Sequence, residues 1–384
     1  MRNVYLSGLG LTPVGEHWNT SLRELALQAI LAAQQDAAAQ SSGRAPTPDA
    51  VYVGNMLAGE LSRQEHLGAL VADFAGLRGV EAVTVEAAGA SGGAALRQAV
   101  LAVGSGAIDT ALVVGVEKMT DTVGAATTAA TATAADSDWE AAQGATPTAL
   151  AALLMQRYLH QHHADLQGFA GFSVNAHANA RGNPHAMFRN ALTPEAYLKA
   201  GLVAAPVNMF DMAPDGDGAA ALLVTAEPAA VRIAASAMAT DALALHDRSD
   251  LLRFEAARLS AFKAYAQAGL GPQDIDVFEL HDAYTVYAAL SLEAAGFADY
   301  GQGWCLAANG AISRTGRIPI STFGGLKARG NPGGATGVYQ VAEVALQLRQ
   351  AAGPNQVAGA QWGMAQSLGG AGATAATHIL QRVA

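Results

Sequence analysis

The chain is short of charge, of thiols and of basic residues, and each shortage excludes something. Only 14% of its 384 residues are Asp, Glu, Lys or Arg, against 51% hydrophobic, which is the composition of a well-buried globular protein and not of a disordered one. A single cysteine, Cys305, leaves no internal disulfide to form and fits a cytoplasmic setting. Basic residues are outnumbered, 22 to 32, for a net charge of −10; a nucleic-acid binder would present a basic face instead. No stretch approaches the roughly 18 uncharged apolar residues of a membrane span, and Met1 to Leu6 shows no secretory signal. Forty-two glycines without a fixed period exclude a collagen-like fibre. What remains is an acidic, Ala- and Gly-rich chain long enough for two or three units at roughly 100–200 residues each.

Short apolar segments alternate with helix-like ones, the rhythm of a layered α/β protein. Strands are predicted over Val4–Leu9, Ala50–Val53, Ala82–Val85, Thr110–Val114, Ala219–Thr225, Ile275–Leu280 and Ile318–Ser321, and helices over Ala94–Val103 and Val338–Leu348. Ser21 followed three residues later by Glu24 reads as a capping box for a helix through Leu22, Leu25, Ala26, Ala29 and Ile30. Ser41–Pro48 is a polar surface loop. Val123–Ala135, almost all Ala and Thr, leads into a histidine-rich stretch, so Thr120–Ala205 is expected to be an inserted, helix-rich subdomain. The Gly-rich runs beginning at Gly89 and Gly330 share a strand, loop, helix pattern that two duplicated halves would explain.

Several residues invite a chemical reading. Gly92-Gly93 and Gly333-Gly334 each open a helix, where backbone N–H groups suit an anion, although close helix packing explains such glycines as well. Neither is a P-loop, and no GxGxxG pattern supports a dinucleotide fold. His160, His162 and His163 lack partners at metal-ligand spacing and read as a solvated helix end; no metal site is expected. His281 ends an apolar strand before Asp282, at the sheet edge where α/β sites gather, with Tyr284 and Tyr287 following; structural and catalytic roles are equally open. Cys305, in a Gly/Trp loop with nothing to lower its pKa, reads as an inert thiol. Lys118 suits a surface ion pair or an anion.

Five segments together resemble the thiolase superfamily, most closely its sterol-carrier and lipid-transfer branch. They are Gly115-Val-Glu-Lys-Met-Thr, Asp217-Gly-Ala-Ala-Ala-Leu-Leu, Glu279-Leu-His-Asp-Ala-Tyr-Thr, Gly324-Gly-Leu-Lys-Ala-Arg-Gly-Asn-Pro-Gly-Gly-Ala-Thr-Gly and Leu368-Gly-Gly-Ala-Gly. The resemblance implies a duplicated α/β fold in five layers, α-β-α-β-α: an N-terminal half over 1–119 and 206–228, a loop subdomain over 120–205, and a C-terminal half over 229–384. It also implies a homodimer and a pocket for an acyl-CoA, coenzyme A being part of the substrate and no separate cofactor being needed. At the positions where the family carries its chemistry, this chain departs. Gly89 stands where relatives carry the nucleophilic cysteine, Asn331 where a Gly-His-Pro motif supplies histidine, and Ser367-Leu368-Gly369-Gly370 where a second cysteine lies. His281 matches the branch's own oxyanion-hole motif.

The resemblance therefore assigns His281 and Asn331 as catalytic donors and Gly89, Gly330, Gly369 and Gly370 as substrate-binding positions. With no side chain at residue 89 an acyl-enzyme cannot form there, which leaves three readings. The first is an aldolase-like enzyme that cleaves a β-hydroxyacyl-CoA without a covalent intermediate, beside an OB-fold partner protein, with His281 preferred over Tyr284 or Tyr287 as base. The second is a non-catalytic subunit that binds CoA esters or a partner enzyme. The third is an acetyl-CoA acyltransferase that uses Cys305 or Ser91.

Overall fold

The computed structural model describes residues 2–41, 43–122 and 124–383. Met1, Ser42, Val123 and Ala384, which fall within segments named above, lie outside the described residues.

The N-terminal part begins with β1 (Tyr5–Leu11) and α1 (Leu22–Gln40), the latter opened by the expected capping box, in which Ser21 N donates to Glu24 (2.8 Å). There follow β2 (Ala50–Gly54), α2 (Ala58–Leu61), α3 (Leu67–Phe74), β3 (Glu81–Val85), α4 (Ser91–Ser105) and β4 (Thr110–Glu117). The next stretch is helical as its composition predicts, with α5 (Ala125–Ala132), α6 (Pro147–His162), α7 (Ala170–Ala180) and α8 (Pro194–Leu198). Thr146 and Thr193 cap α6 and α8 just before Pro147 and Pro194, where a proline's missing N–H costs nothing. A small hairpin, β5 (Leu202–Ala204) and β6 (Val207–Asn208), leads to β7 (Gly218–Thr225).

The C-terminal part runs β8 (Val231–Thr240), α9 (Glu255–Ala268), β9 (Val277–Glu279), α10 (Thr285–Ala294), α11 (Gly303–Ala308), α12 (Thr336–Leu348), β10 (Trp362–Gly369) and β11 (Thr374–Arg382). Nine strands form one sheet in the order β3-β2-β4-β7-β1-β8-β11-β10-β9. The two halves of that sheet meet through only two residue pairs, Tyr5 with Arg232 and Leu6 with Val231, so the sheet turns at this seam. Helices α4 and α12 touch each other and strands of both halves, α1 and α3 cover the outer face of one half, and α9 covers the outer face of the other. The result is the α-β-α-β-α stack. Strands β4 and β7 are buried along their whole length, as strands covered on both faces must be, which explains their uninterrupted apolar runs.

At the centre, the N-termini of α4 and α12 approach closely. A Cβ on Gly337 would lie 2.4 Å from Gly93 N, and one on Gly92 would lie 2.9 Å from Gly334 O. Close backbone approach is therefore what these glycines serve. Each helix is preceded by a single 3₁₀ turn, Ala88–Ala90 and Gly333–Ala335, so the repeated pattern is real at turn and helix. It fails at the expected strand Ile318–Ser321. There only Ile320 bridges to Phe278, because Ser321 turns into the left-handed region at φ +47 and ends the extended chain. Two smaller expectations also change. Cys305 lies on α11, not in a loop. Lys118 is buried and not at the surface, its Nζ donating to Asp217 (2.8 Å).

Candidate active site

One cavity of about 180 Å³ opens where the turns before α4 and α12 meet the loop after β9. Gly89, His281, Asn331 and Gly370 line it together, as do Asp215, Tyr284 and Tyr287. Gly330 and Gly369 do not. A Cβ on Gly330 would press on Val14 (2.6 Å) and one on Gly369 on Ala87 O (2.5 Å), so both serve packing behind the wall. The remaining wall is apolar or small, including Met56, Thr128, Thr131, Ala134, Leu150 and Met212.

His281 is held by the acidic residues beside it. Glu279 accepts from Thr322 N (2.7 Å) and Thr322 Oγ1 (2.5 Å), and Asp282 accepts from Leu326 N (2.7 Å) and Ser321 Oγ (3.0 Å). The strand end and the 321–326 loop are thereby tied together on both sides of the imidazole. His281 itself is buried, and its Nδ1 has no hydrogen-bond partner. Burial, with the Arg329 guanidinium nearby, pushes its pKa down to about 3. The ring is neutral at physiological pH and a poor proton acceptor, so the expected role of base passes away from His281; a neutral imidazole still donates one hydrogen bond. Tyr284 and Tyr287 are no better bases: burial raises both, Tyr284 to about 12. Tyr284 Oη pairs with Thr148 Oγ1 at 3.0 Å.

Asn331 N donates to Pro214 O (2.9 Å), and Asn331 O accepts from Gly216 N (3.2 Å). Its Oδ1 accepts from Thr336 Oγ1 (3.1 Å), which leaves the Nδ2 amide as the donor available to a ligand. Gly89 sits directly beneath His281. A Cβ built there would lie 2.7 Å from Leu368 O and 3.0 Å from His281 Cε1, so backbone and imidazole fill the place of a side chain. Ser91 is committed locally, its Oγ donating to Ala88 O (2.6 Å) and accepting from Ala87 N (2.9 Å). Cys305 does not line the cavity, and burial pushes its thiol up, away from the thiolate a nucleophile needs.

The residue that the sequence motifs leave out is Asp215, two positions before the segment that begins at Asp217. Its exposed side chain lines the cavity, and the protein around it pushes its carboxyl up to about 6. His160 and His163 are exposed, and His162 packs edge-on between Tyr158 and Tyr300. Among the described residues no group of His, Cys, Asp and Glu could hold a metal ion.

Buried helix N-termini, a neutral imidazole and a free amide around an apolar cavity suit a ligand carbonyl that gains negative charge. Comparison with known proteins gives the family. Residues 4–201 match the thiolase N-terminal domain and residues 237–382 the thiolase C-terminal domain-like family. The chain belongs to the thiolase family. An acetyl-CoA acetyltransferase of Methanothermobacter thermautotrophicus is 42% identical over 389 residues, covering all of both chains. Among solved structures, an Ltp2-ChsH2(DUF35) aldolase superimposes with a TM-score of 0.83 at 23% identity, covering 99% of this chain and 98% of the other. Human mitochondrial 3-ketoacyl-CoA thiolase in complex with CoA does so with a TM-score of 0.76 at 16% identity, covering 100% and 98%. No helix among the described residues is long and apolar enough to cross a membrane.

Proposed function

We propose that this thiolase-family protein binds an acyl-CoA and cleaves a carbon–carbon bond of a β-hydroxyacyl-CoA by retro-aldol chemistry, without a covalent cysteine intermediate. The observation that carries the reading is the pairing of two hydrogen-bond donors, His281 and Asn331, with a position 89 that offers only main chain. A Claisen-type thiolase needs a nucleophile to take the acyl group. A retro-aldol cleavage needs instead a place for the thioester oxygen as it becomes an enolate. One well-aimed donor contributes about 3 kcal/mol to such a step, and two side chains able to donate line this cavity. The volume of about 180 Å³ is close to the roughly 150 Å³ cavity known to take a benzene, so the enclosed part of the substrate is a thioester head with a compact acyl group.

In the same reading the protein works in the cytoplasm as a homodimer beside an OB-fold partner protein. Support for the dimer comes from β3, an edge strand with exposed residues, Val83 among them, since an open edge invites pairing. The likeness to the Ltp2-ChsH2(DUF35) aldolase supports both the reaction and the partner. The name carried by the Methanothermobacter relative favours a second reading, acetyl-CoA acetyltransferase.

The test incubates purified protein, with and without any copurifying subunit, with a panel of β-hydroxyacyl-CoA esters and assays released aldehyde or ketone. Release that falls at least ~100-fold in His281→Ala is expected. No release across the panel removes the aldolase reading, and acyl-CoA binding without turnover then leaves a non-catalytic subunit. A protein-bound acetyl group after acetyl-CoA incubation and denaturation revives the acetyltransferase.

A further inference from the structure

We infer that Asp215 is the proton-transfer group of this site, taking the β-hydroxyl proton from the substrate and returning it to the enolate carbon; this rests on the retro-aldol reading above. Three observations place it there. First, Asp215 lines the same cavity as His281, Asn331 and Gly89. Second, its position is set by the backbone that sets Asn331, because the flanking Pro214 and Gly216 pair with Asn331 through hydrogen bonds of 2.9 and 3.2 Å. Carboxylate and amide are thus carried on adjacent segments locked in register.

Third, the Asp215 side chain is exposed and has no hydrogen-bond or ion-pair partner among the described residues. The other acidic side chains around the cavity are saturated with donors. Asp211 accepts from Tyr197, Thr285 and Asn208 N. Asp217 accepts from Lys118, Thr120 and Met119 N. Glu117 accepts from Asn55 and from the backbone of Met56, Leu57 and Gly334. Asp282 and Glu279 pin the loop beside His281. Among the described residues the Asp215 carboxylate accepts none of these hydrogen bonds and is open to the cavity. Its side chain is exposed toward the cavity, so a substrate hydroxyl entering there reaches the carboxylate without displacing a protein partner.

The chemistry balances on this one group. The carboxylate of Asp215 removes the hydroxyl proton, and the oxygen's electrons form the new carbonyl as the Cα–Cβ bond breaks. The released pair delocalises from Cα onto the thioester oxygen, between His281 and Asn331. The protonated Asp215 then returns its proton to Cα, which yields a shorter acyl-CoA and regenerates the carboxylate. No second acid, thiol or external co-reactant is needed. The protein around it pushes the carboxyl up to about 6, close enough to neutrality for both transfers, whereas His281 at about 3 and Tyr284 at about 12 are mismatched.

The test compares wild type with Asp215→Asn, and with Asp215→Ser should the amide variant fail to fold, by two readouts. One is carbonyl release from a β-hydroxyacyl-CoA panel beginning with hydroxybutyryl-CoA. The other is exchange of the Cα protons of acetyl-CoA in D2O followed by mass spectrometry, which needs a base and an enolate but no cleavage. Both rates should fall by ~10²–10⁴-fold, with binding of acetyl-CoA retained in a thermal-shift assay. A variant that keeps either rate near wild type overturns the assignment. Exchange that depends on Asp215 in a protein that never cleaves removes the retro-aldol reading and leaves the base standing. A wild-type protein that neither exchanges nor cleaves removes both.

Discussion

The two sides of the cavity are built differently. Beneath His281 and Asn331 lies a layer of buried charge. Arg329, wholly buried, donates to Glu343 at 2.8 Å and stacks 4.9 Å over the Tyr339 ring. Lys327, also buried, donates to Asp211 O at 2.6 Å, and Glu279 and Asp282 tie down the neighbouring loop. Across the cavity, α5, the turn after it and the start of α6 contribute only small or apolar groups such as Thr128, Thr131, Ala134 and Thr148, and α5 buries just one residue, Ala130. The difference separates two tasks. In the proposed reaction the donors must meet a developing charge within a fraction of an ångström, and the groups beneath them cannot move without stranding a charge. The opposite wall, which the proposed function sets against the acyl group, has little stability invested in it and can be re-cut.

Three experiments would break or sharpen that contrast. The largest effect is expected for Arg329→Ala, which leaves the Glu343 carboxylate buried without its partner. Loss of one member of such a pair costs about 3–5 kcal/mol, read as a lower midpoint in chemical denaturation. A cost below ~1 kcal/mol would mean the charged layer is not what stiffens this side.

The second effect is a pH dependence. His281 is neutral in the fold, with its pKa held at about 3 against an ordinary 6.5. Between these values the unfolded chain binds a proton that the folded chain refuses, so the contribution of His281 to stability is whole above about 6.5 and is lost as pH falls toward about 3. Glu279, whose carboxyl is pushed up by burial and by Glu343, acts in the opposite sense: its contribution is whole below its ordinary pKa and is lost as pH rises through its raised value. His281→Gln should therefore flatten the acid side of the stability curve and leave the alkaline side unchanged. An unchanged acid side would show the imidazole to be solvated.

The smallest effect belongs to the wall. Thr131→Leu should change stability by no more than ~0.5 kcal/mol while it raises the KM for β-hydroxyacyl-CoA esters with bulky acyl chains and spares hydroxybutyryl-CoA. A multi-kilocalorie loss in denaturation would erase the distinction between the two sides.

Much of this arrangement was legible before any coordinates, and the reason is local. Ser21 with Glu24 announces α1 because a capping box is closed within four residues. The apolar runs of β4 and β7 announce strands covered on both faces. The motifs around His281 and Asn331 pointed to residues that do share one cavity. What escaped notice depends on partners far away in the chain. Lys118 reads as a surface residue until Asp217 folds against it. Ile318–Ser321 has strand composition, yet the positive φ of Ser321 ends the extended chain after a single bridge. Gly330 and Gly369 resemble binding loops but are pressed against Val14 and Ala87.

Composition and motif order alone determined the class of fold, the family likeness and the absence of a side chain at residue 89, since these are written in single residues and short patterns. Only the tertiary structure decided that His281 is buried with its pKa pushed down and that Asp215 shares its cavity. A pKa is set by burial and by charges brought close in space, and the pairing of the Asp215 segment with Asn331 exists only once the halves of the sheet have closed around α4 and α12.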